Sequence, residues 1–334
     1  MSHRVTVKPS GHSFEAEGHE SVLDAGLREG LNLPYGCANG SCGTCRARLL
    51  SGSLSPHGHA DYVFPAAERE SGWFLMCRQR PNSDLLIETR EPDKAAEIPH
   101  QHLVAKVAKV ERLQDEVILL QLRTPRSSGL QFLAGQSVEL AFDGMRPHCL
   151  PIASCPCDGM YLRFHVRYRA DDPFSNFVFN GLKKGKAVVV SGPVGDFTLD
   201  QESRRPLIFV AWEAGFAPVE SLIDHAIQLD AERPMHLYWL SAIPRGHYLS
   251  NYCRAWVDAL DDFHYHSVDL APVGDATLES TLQEIVAAHR PLADWDLYLS
   301  LPPPLGEQAM ALLEASGVPT DRVRLGPLCF PAER

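Results

Sequence analysis

No stretch of this 334-residue sequence approaches the eighteen consecutive apolar residues that a membrane-crossing helix needs. The opening residues, Met1-Ser2-His3-Arg4-Val5-Thr6-Val7, alternate like a strand and lack the apolar block of a secretion signal, so a cytoplasmic protein with no membrane span is expected. A basic excess is missing as well. Forty-two acidic side chains against 31 basic ones give a formal charge of -11. That is the opposite of the footprint that neutralises phosphates, which argues against a nucleic-acid partner. The acidity is uneven: residues 1–95 carry 12 acidic and 10 basic side chains, leaving 30 and 21 for the remainder. Internal repeats and low-complexity tracts are also lacking.

What is present reads as three modules, a length-compatible number. The polar, charged stretch 90–99, with prolines at 92 and 99, leads to the expectation of a linker at residues 93–101, separating residues 1–92 from the rest. Over residues 102–201 short alternating runs such as Val117-Ile118-Leu119-Leu120-Gln121-Leu122 and Tyr161-Leu162-Arg163-Phe164-His165-Val166 predict an antiparallel barrel or sandwich. Over residues 202–334 the rhythm changes to continuous apolar runs, each followed by a helical pattern. The expected pairs are 207–211 before a helix at 218–229, 236–240 before 248–260, and 297–299 before 307–315. Buried parallel strands alternating with helices predict a doubly wound α/β unit.

Nine cysteines without a signal peptide point to metal or redox chemistry more than to a disulfide framework. The run Cys37-Ala38-Asn39-Gly40-Ser41-Cys42-Gly43-Thr44-Cys45, with Cys77 further on, has the C-x4-C-x2-C…C spacing of plant-type 2Fe-2S proteins. Each iron of such a cluster takes two protein thiolates and two bridging sulfides, so four cysteines are required. Gly36, Gly40 and Gly43 would let the loop wrap closely and aim N–H groups at sulfur. Zinc is the alternative, but structural zinc favours two close cysteine pairs, and here one ligand stands more than thirty residues away. Trp73, Phe74 and Leu75 read as core. Arg46, Arg48, Arg78 and Arg80 are either a positive rim for an acidic partner or an ordinary solvated surface.

The chain resembles the ferredoxin-fused branch of the ferredoxin-NADP reductase superfamily, which includes reductase components of bacterial oxygenases and of 3,6-dideoxyhexose biosynthesis. The matching pieces are Phe132-Leu133-Ala134-Gly135-Gln136, Gly192-Pro193-Val194-Gly195-Asp196-Phe197-Thr198-Leu199, Gly215-Phe216-Ala217-Pro218 and Pro302-Pro303-Pro304. The resemblance implies a β-grasp 2Fe-2S ferredoxin, an antiparallel Greek-key β-barrel of the FAD-binding type and a parallel α/β domain of the NAD(P)-binding type. It also locates where the family's motifs should stand. The flavin sequence R-x-Y-S corresponds to His148, Cys149, Leu150 and Pro151, so the phosphate-binding Arg, the stacking Tyr and the Ser hydroxyl are all replaced. The G-G-T-G turn corresponds to Trp212, Glu213, Ala214 and Gly215, which sets a carboxylate where a dinucleotide phosphate would approach. The C-G-P-P segment reads Ser300, Leu301, Pro302 and Pro303. Ser175, at the start of the family's phosphate-binding helix, and Gly215 are what remains of the cofactor-binding sites.

The resulting expectation is an electron-transfer protein that delivers single electrons from a 2Fe-2S cluster to a protein redox partner, an oxygenase, a dehydratase or another multisubunit redox enzyme. The reductase-like half is expected to serve docking or assembly. FAD binding is left open and NAD(P)H oxidation is not expected; the alternative is a working NAD(P)H-dependent reductase component. A structural or regulatory subunit whose cluster senses redox state or staples the fold is a third reading. Three further cysteines, Cys149, Cys155 and Cys157, stand beside His148 as a possible metal or oxidation-sensing group, though small cysteines on a strand edge are commonly just buried. His57 and His59 read as a solvated loop, Cys253 as core, and Cys329 has no identified partner.

Overall fold

The computed structural model describes residues 2–92, 94–125, 129–158, 160–229, 232–271, 274 and 276–326; Cys329 lies outside them. The N-terminal module runs β1 (Ser2–Lys8), β2 (Ser13–Glu17), α1 (Val22–Arg28), β3 (Arg46–Ser51), β4 (Leu54–Pro56), α2 (Ala66–Glu70), β5 (Trp73–Leu75), β6 (Gln79–Pro81) and β7 (Leu85–Glu88). Its main sheet has the order β2-β1-β7-β3-β5, with β1 and β7 parallel, the β-grasp arrangement. Alternation in β1 sends Val5 and Val7 inward, where they pack with Leu23, Phe74 and Met76. Ser21 starts α1 by accepting a hydrogen bond from the Asp24 N–H.

The second module is six antiparallel strands, β8 (Gln101–Gln114), β9 (Val117–Arg123), β10 (Ser137–Ala141), β11 (His148–Pro151), β12 (Tyr161–Arg167) and β13 (Ala187–Val194), with helix α3 (Pro173–Asn180) between the last two. Their order is β11-β10-β13-β8-β9-β12, and the two end strands come into contact, so the sheet nearly closes into a barrel around Leu120, Val138, Phe164 and Val190.

The third is a parallel sheet, β16-β15-β14-β17-β18, built from β14 (Leu207–Trp212), β15 (Met235–Ser241), β16 (Phe263–Asp269), β17 (Asp296–Ser300) and β18 (Val323–Gly326). Helices α4 (Phe216–Leu229), α5 (Ser250–Ala259), α6 (Leu278–Ala288) and α7 (Pro303–Ala315) cover it. Leu207 to Ala211 are wholly buried because both faces of β14 are packed, which is why that strand reads as an unbroken apolar run. α7 starts at Pro303, four residues before the expected start. Proline has no N–H to lose in the first turn, so a run that looks like a breaker sits comfortably there. β16 escapes the apolar-run pattern because it is an edge strand and alternates, Phe263-His264-Tyr265-His266.

That alternation gathers histidines on one face. His236 Nδ1 lies 3.3 Å from His266 Nε2, the His236 and His264 rings are 4.4 Å apart, and Tyr238 Oη lies 2.8 Å from His289 Nε2. Burial, followed by the neighbouring His289, His264 and His266, pushes His236 down to about 3; His266 and His289 are lowered for the same reasons. Folded molecules therefore bind fewer protons here than unfolded ones, whose histidines titrate near 6.5. Stability is expected to be intact above pH 6.5 and to be lost as pH falls from there toward about 3. Each such proton contributes a slope of at most about 1.4 kcal/mol per pH unit. Urea midpoints at pH 7.5 and 5.0 check this: His236→Phe should shrink the difference between them, and an unchanged difference rules out this cluster as the source.

Candidate functional site

Cys37, Cys42 and Cys45 sit on the loop between α1 and β3, and Cys77 on a 3-10 turn, Met76–Arg78, directly after β5. Phe74 and Leu75 are core residues, as their sequence suggested, whereas Trp73 packs half-buried against that core; Met76 is also buried, and its N–H donates to the Cys45 carbonyl at 2.9 Å, tying the turn to the loop. The four thiols form two pairs. Cys45 Sγ lies 3.1 Å from Cys77 Sγ, while the Cys37 N–H donates to Cys42 Sγ at 3.4 Å and the Cys42 N–H to Cys37 Sγ at 3.3 Å. Among the described residues no three or more His, Cys, Asp or Glu side chains converge on one metal-sized point. A mononuclear zinc site needs four ligands around one centre. Two pairs of two are what a binuclear cluster takes.

The loop also aims donors at sulfur. The N–H groups of Ser41 and Asn39 reach Cys37 Sγ at 3.3 and 3.5 Å, and that of Thr44 reaches Cys42 Sγ at 3.4 Å. Burial pushes the Cys37 thiol up, but hydrogen bonds from Ser41, Asn39 and Cys42 outweigh it and bring it down to about 6, favouring thiolate. This wrapping requires left-handed backbone at Gly43, φ 79°, where an added Cβ would stand 2.4 Å from the Tyr62 ring. Gly43→Ala is accordingly expected to lower stability by about 1–3 kcal/mol. It should also speed loss of the visible bands under a chelator; wild-type decay kinetics would show that the loop tolerates a side chain.

The arginine rim is half of what the sequence suggested. Arg46 pairs with Glu68 at 3.1 Å and Arg48 with Glu88 at 2.6 Å, so both are neutralised within the module. Arg78 and Arg80 reach the His57 carbonyl and the His57 ring instead, and no carboxylate pairs with them among the described residues. His59 pairs with Asp61 and, among the described residues, joins no metal-ligating group.

At the barrel, the His148 ring stacks on Phe174 at 4.3 Å, and Leu150 is buried. Asp172 caps α3, accepting from the Phe174 and Ser175 N–H groups at 3.0 Å each. The helix N-terminus that would hold phosphate thus already holds the chain's own carboxylate. Ser175 is fully buried: its hydroxyl donates to the Arg169 carbonyl at 2.9 Å and accepts from the Arg169 N–H at 3.0 Å. It serves the local turn and faces no open space.

In an open parallel sheet the ligand crevice lies beyond the carboxyl end of the strand where the order reverses, here β14. The turn there, Glu213–Gly215, contains Glu213 at φ 46°, a left-handed conformation costly for a non-glycine residue, and Gly215 is buried within it. Glu213 is buried and ion-paired with Arg167 of β12. The Trp239 indole N–H donates to the Glu213 carbonyl at 3.0 Å, and Phe216 stacks on Trp239 at 4.0 Å. Further along the same seam, Glu220 of α4 lies 3.2 Å from Arg163 and 3.1 Å from His165, Asp224 lies 3.2 Å from Arg163, and the Tyr248 hydroxyl lies 3.0 Å from His165 Nδ1. Ser300 is buried with its hydroxyl unpartnered, and Leu301 is buried in the core. Arg163, His165, Arg167, Glu220 and Tyr248 carried no sequence signal of this role; the alternation of β12, which puts three basic residues on one face, was the available clue. At the flavin and dinucleotide positions the charged groups are paired within the chain: Asp172 with the first turn of α3, and Glu213 with Arg167.

The fold and the cysteine loop define the class: a 2Fe-2S ferredoxin module fused to a ferredoxin-NADP reductase-type barrel and parallel-sheet unit. The model for the 2Fe-2S iron-sulfur cluster binding domain matches residues 5–82. The chain is 32% identical over 267 residues, 79% of each chain, to the CDP-6-deoxy-L-threo-D-glycero-4-hexulose-3-dehydrase reductase of Yersinia pestis. It is 27% identical over 341 residues to the reductase component of propane 2-monooxygenase from Rhodococcus jostii (strain RHA1), covering 99% of this chain and 92% of that one. Among solved structures, an Amycolatopsis cytochrome P450 reductase, GcoB, shares the fold with a TM-score of 0.61 at 24% identity, covering 97% of this chain and 98% of that one. This chain belongs to the family of ferredoxin-fused reductases that includes oxygenase reductase components and CDP-6-deoxyhexulose-3-dehydrase reductases.

Proposed function

We propose that this protein is a 2Fe-2S electron carrier for a partner redox enzyme, with Cys37 and Cys42 holding one iron and Cys45 and Cys77 the other. Bound there, a cluster of this class exchanges single electrons at roughly -400 mV. Cys42 is the one exposed thiol of the four, so electrons enter and leave at its edge. Arg78, whose side chain lies against Gly40 of the cluster loop, and Arg80 beside it suit an acidic docking face on the partner. The reductase-type half serves docking or assembly. The observation that carries this half of the reading is the ion pair between half-buried Arg167 and buried Glu213 at the turn after β14.

The relatives favour a second reading, a working NAD(P)H-dependent reductase, since the match to named reductases extends through the barrel and the parallel sheet. The two readings separate in one experiment. Protein carrying its cluster is incubated with excess FAD, and NADH and then NADPH are added anaerobically, with dithionite as control. Bleaching of the visible bands by dithionite alone is expected. Bleaching by either nucleotide at a catalytic rate overturns the carrier reading in favour of the reductase.

A further inference from the structure

Two of the three extra cysteines are bonded to each other, Cys155 to Cys157 across Pro156, and among the described residues they join no metal-ligating group with His148. Their surroundings are specific. The short 3-10 turn Pro156–Asp158, which carries Cys157 and directly follows Cys155, touches α1 of the ferredoxin module and α4 of the parallel-sheet module, while belonging itself to the barrel. On one side, Pro156 and Cys157 line a narrow crevice with Leu27, Leu31 and Tyr35, and Tyr35 stands two positions before Cys37. On the other side both sulfurs border a cavity of about 470 Å³ walled by Asp158, Arg163, Asp224 and Trp256.

The two sulfurs are not equivalent. Cys155 is 4% exposed, and Cys157 is partly open. The Cys157 N–H donates to Cys155 Sγ at 3.3 Å, and His225 Nδ1 lies 3.9 Å from the same sulfur. His225 is 2% exposed, its Nε2 has no hydrogen-bond partner, and among the described residues Cys155 Sγ is the one polar group its ring meets. A buried imidazole aimed at one sulfur of a disulfide, with a backbone donor on the same sulfur, is a means of holding negative charge there.

We propose that Cys155 and Cys157 form a thiol–disulfide exchange site for a low-molecular-weight thiol of peptide size, with Cys157 the attacked sulfur and Cys155 the leaving one. A thiolate entering the cavity attacks Cys157 Sγ, forming a mixed disulfide as the Cys155–Cys157 bond breaks and its electron pair passes to Cys155 Sγ. His225 Nδ1–H and the Cys157 N–H stabilise that thiolate until it takes a proton from solvent. A second thiol then attacks the mixed disulfide, releasing Cys157 as a thiol. Two external thiols become one external disulfide, and two electrons and two protons end on the cysteine pair. Burial pushes His225 down to about 4, so it is a neutral donor in the physiological range. Because the turn is wedged between the cluster module and α4, the sulfur state is set at the joint of all three modules.

The test uses the full-length protein with its cluster in place, treated anaerobically with reduced glutathione and, in a second arm, with dithiothreitol. Samples are quenched in acid and alkylated, and the peptide spanning 155–157 is read by mass spectrometry. The expected result is conversion of the pair from disulfide to two thiols, with the glutathione adduct on Cys157 and not on Cys155, and a rate at least tenfold slower in His225→Phe at unchanged visible absorbance. Conversion by dithiothreitol with no glutathione adduct overturns the assignment of a peptide-sized thiol. An adduct on Cys155, or a pair that alkylates as thiols even under oxidised glutathione, overturns the site itself. The adduct map is made on unaltered protein, so the outcome stands even where His225→Phe does not fold.

Discussion

Cys77→Ser is expected to abolish the visible absorbance of the protein and the electron paramagnetic resonance signal of its reduced form. Cys77 is the partner of Cys45 at 3.1 Å, buried on a turn that the core residues Phe74 to Met76 hold in place. Serine keeps the volume nearly unchanged but offers a hard oxygen whose proton is not lost near neutrality, and soft thiolate is what iron of this class takes. Losing an outer-shell partner already lowers metal affinity about 10–100-fold, and losing a ligand should cost at least that. Because metal-site binding energy is also folding energy, the N-terminal module should melt at lower temperature. The barrel and the parallel sheet have separate cores of their own and should melt as in the wild type. Calorimetry and circular dichroism would resolve the two transitions. A serine variant that kept the full spectrum would remove Cys77 from the ligand set and with it the pairing on which the binuclear reading rests.

Glu220→Ala should lower the stability of the unit formed by the barrel and α4 by about 3–5 kcal/mol, the usual result of leaving a buried charge without its counterion. Glu220 is 1% exposed and is shared by Arg163 at 3.2 Å and His165 at 3.1 Å, both on β12. Removing it strands the Arg163 guanidinium with Asp224 alone. Asp224 is itself raised to about 7, by burial first and by Glu220 second, so the substitution should also lower the pH at which that carboxyl ionises. Glu220→Gln keeps the volume and one acceptor, and should cost less than alanine. Urea denaturation followed by tryptophan fluorescence reports the loss, since Trp239 and Trp256 pack on Phe216 in the same seam. A change within about 0.5 kcal/mol would place the pair among those that contribute nothing measurable.

The seam also explains why some of the site was legible in the chain and some was not. Replacement of the glycine turn by Trp212 and Glu213 could be read directly, because a missing glycine is a local fact. What filled the crevice could not. Arg167 and Glu213 are 46 positions apart and His165 and Tyr248 are 83, with no periodicity linking them. Ser175 illustrates the reverse error. Its position matched a phosphate-binding helix start, yet Arg169 and Asp172 occupy both its hydroxyl and the helix end, and only the fold of that turn reveals it. The arginines near the cluster were equally ambiguous until Glu68 and Glu88 were found against two of them. The disulfide of Cys155 with Cys157 lies within three residues, but the histidine aimed at it comes from 70 residues further on.

By itself the sequence determined the cluster loop, the run of alternating strands and the parallel-sheet rhythm. Each of these depends on interactions within a few residues: thiol spacing on one loop, pleat alternation along one strand, burial of one apolar run. Tertiary structure alone decided which charges meet across the β12–α4 seam, which hydroxyls and carboxylates are already satisfied, and which sulfur His225 faces. Those outcomes depend on desolvation and on Coulombic pairing at about 3 Å, both of which act between groups that only folding brings together.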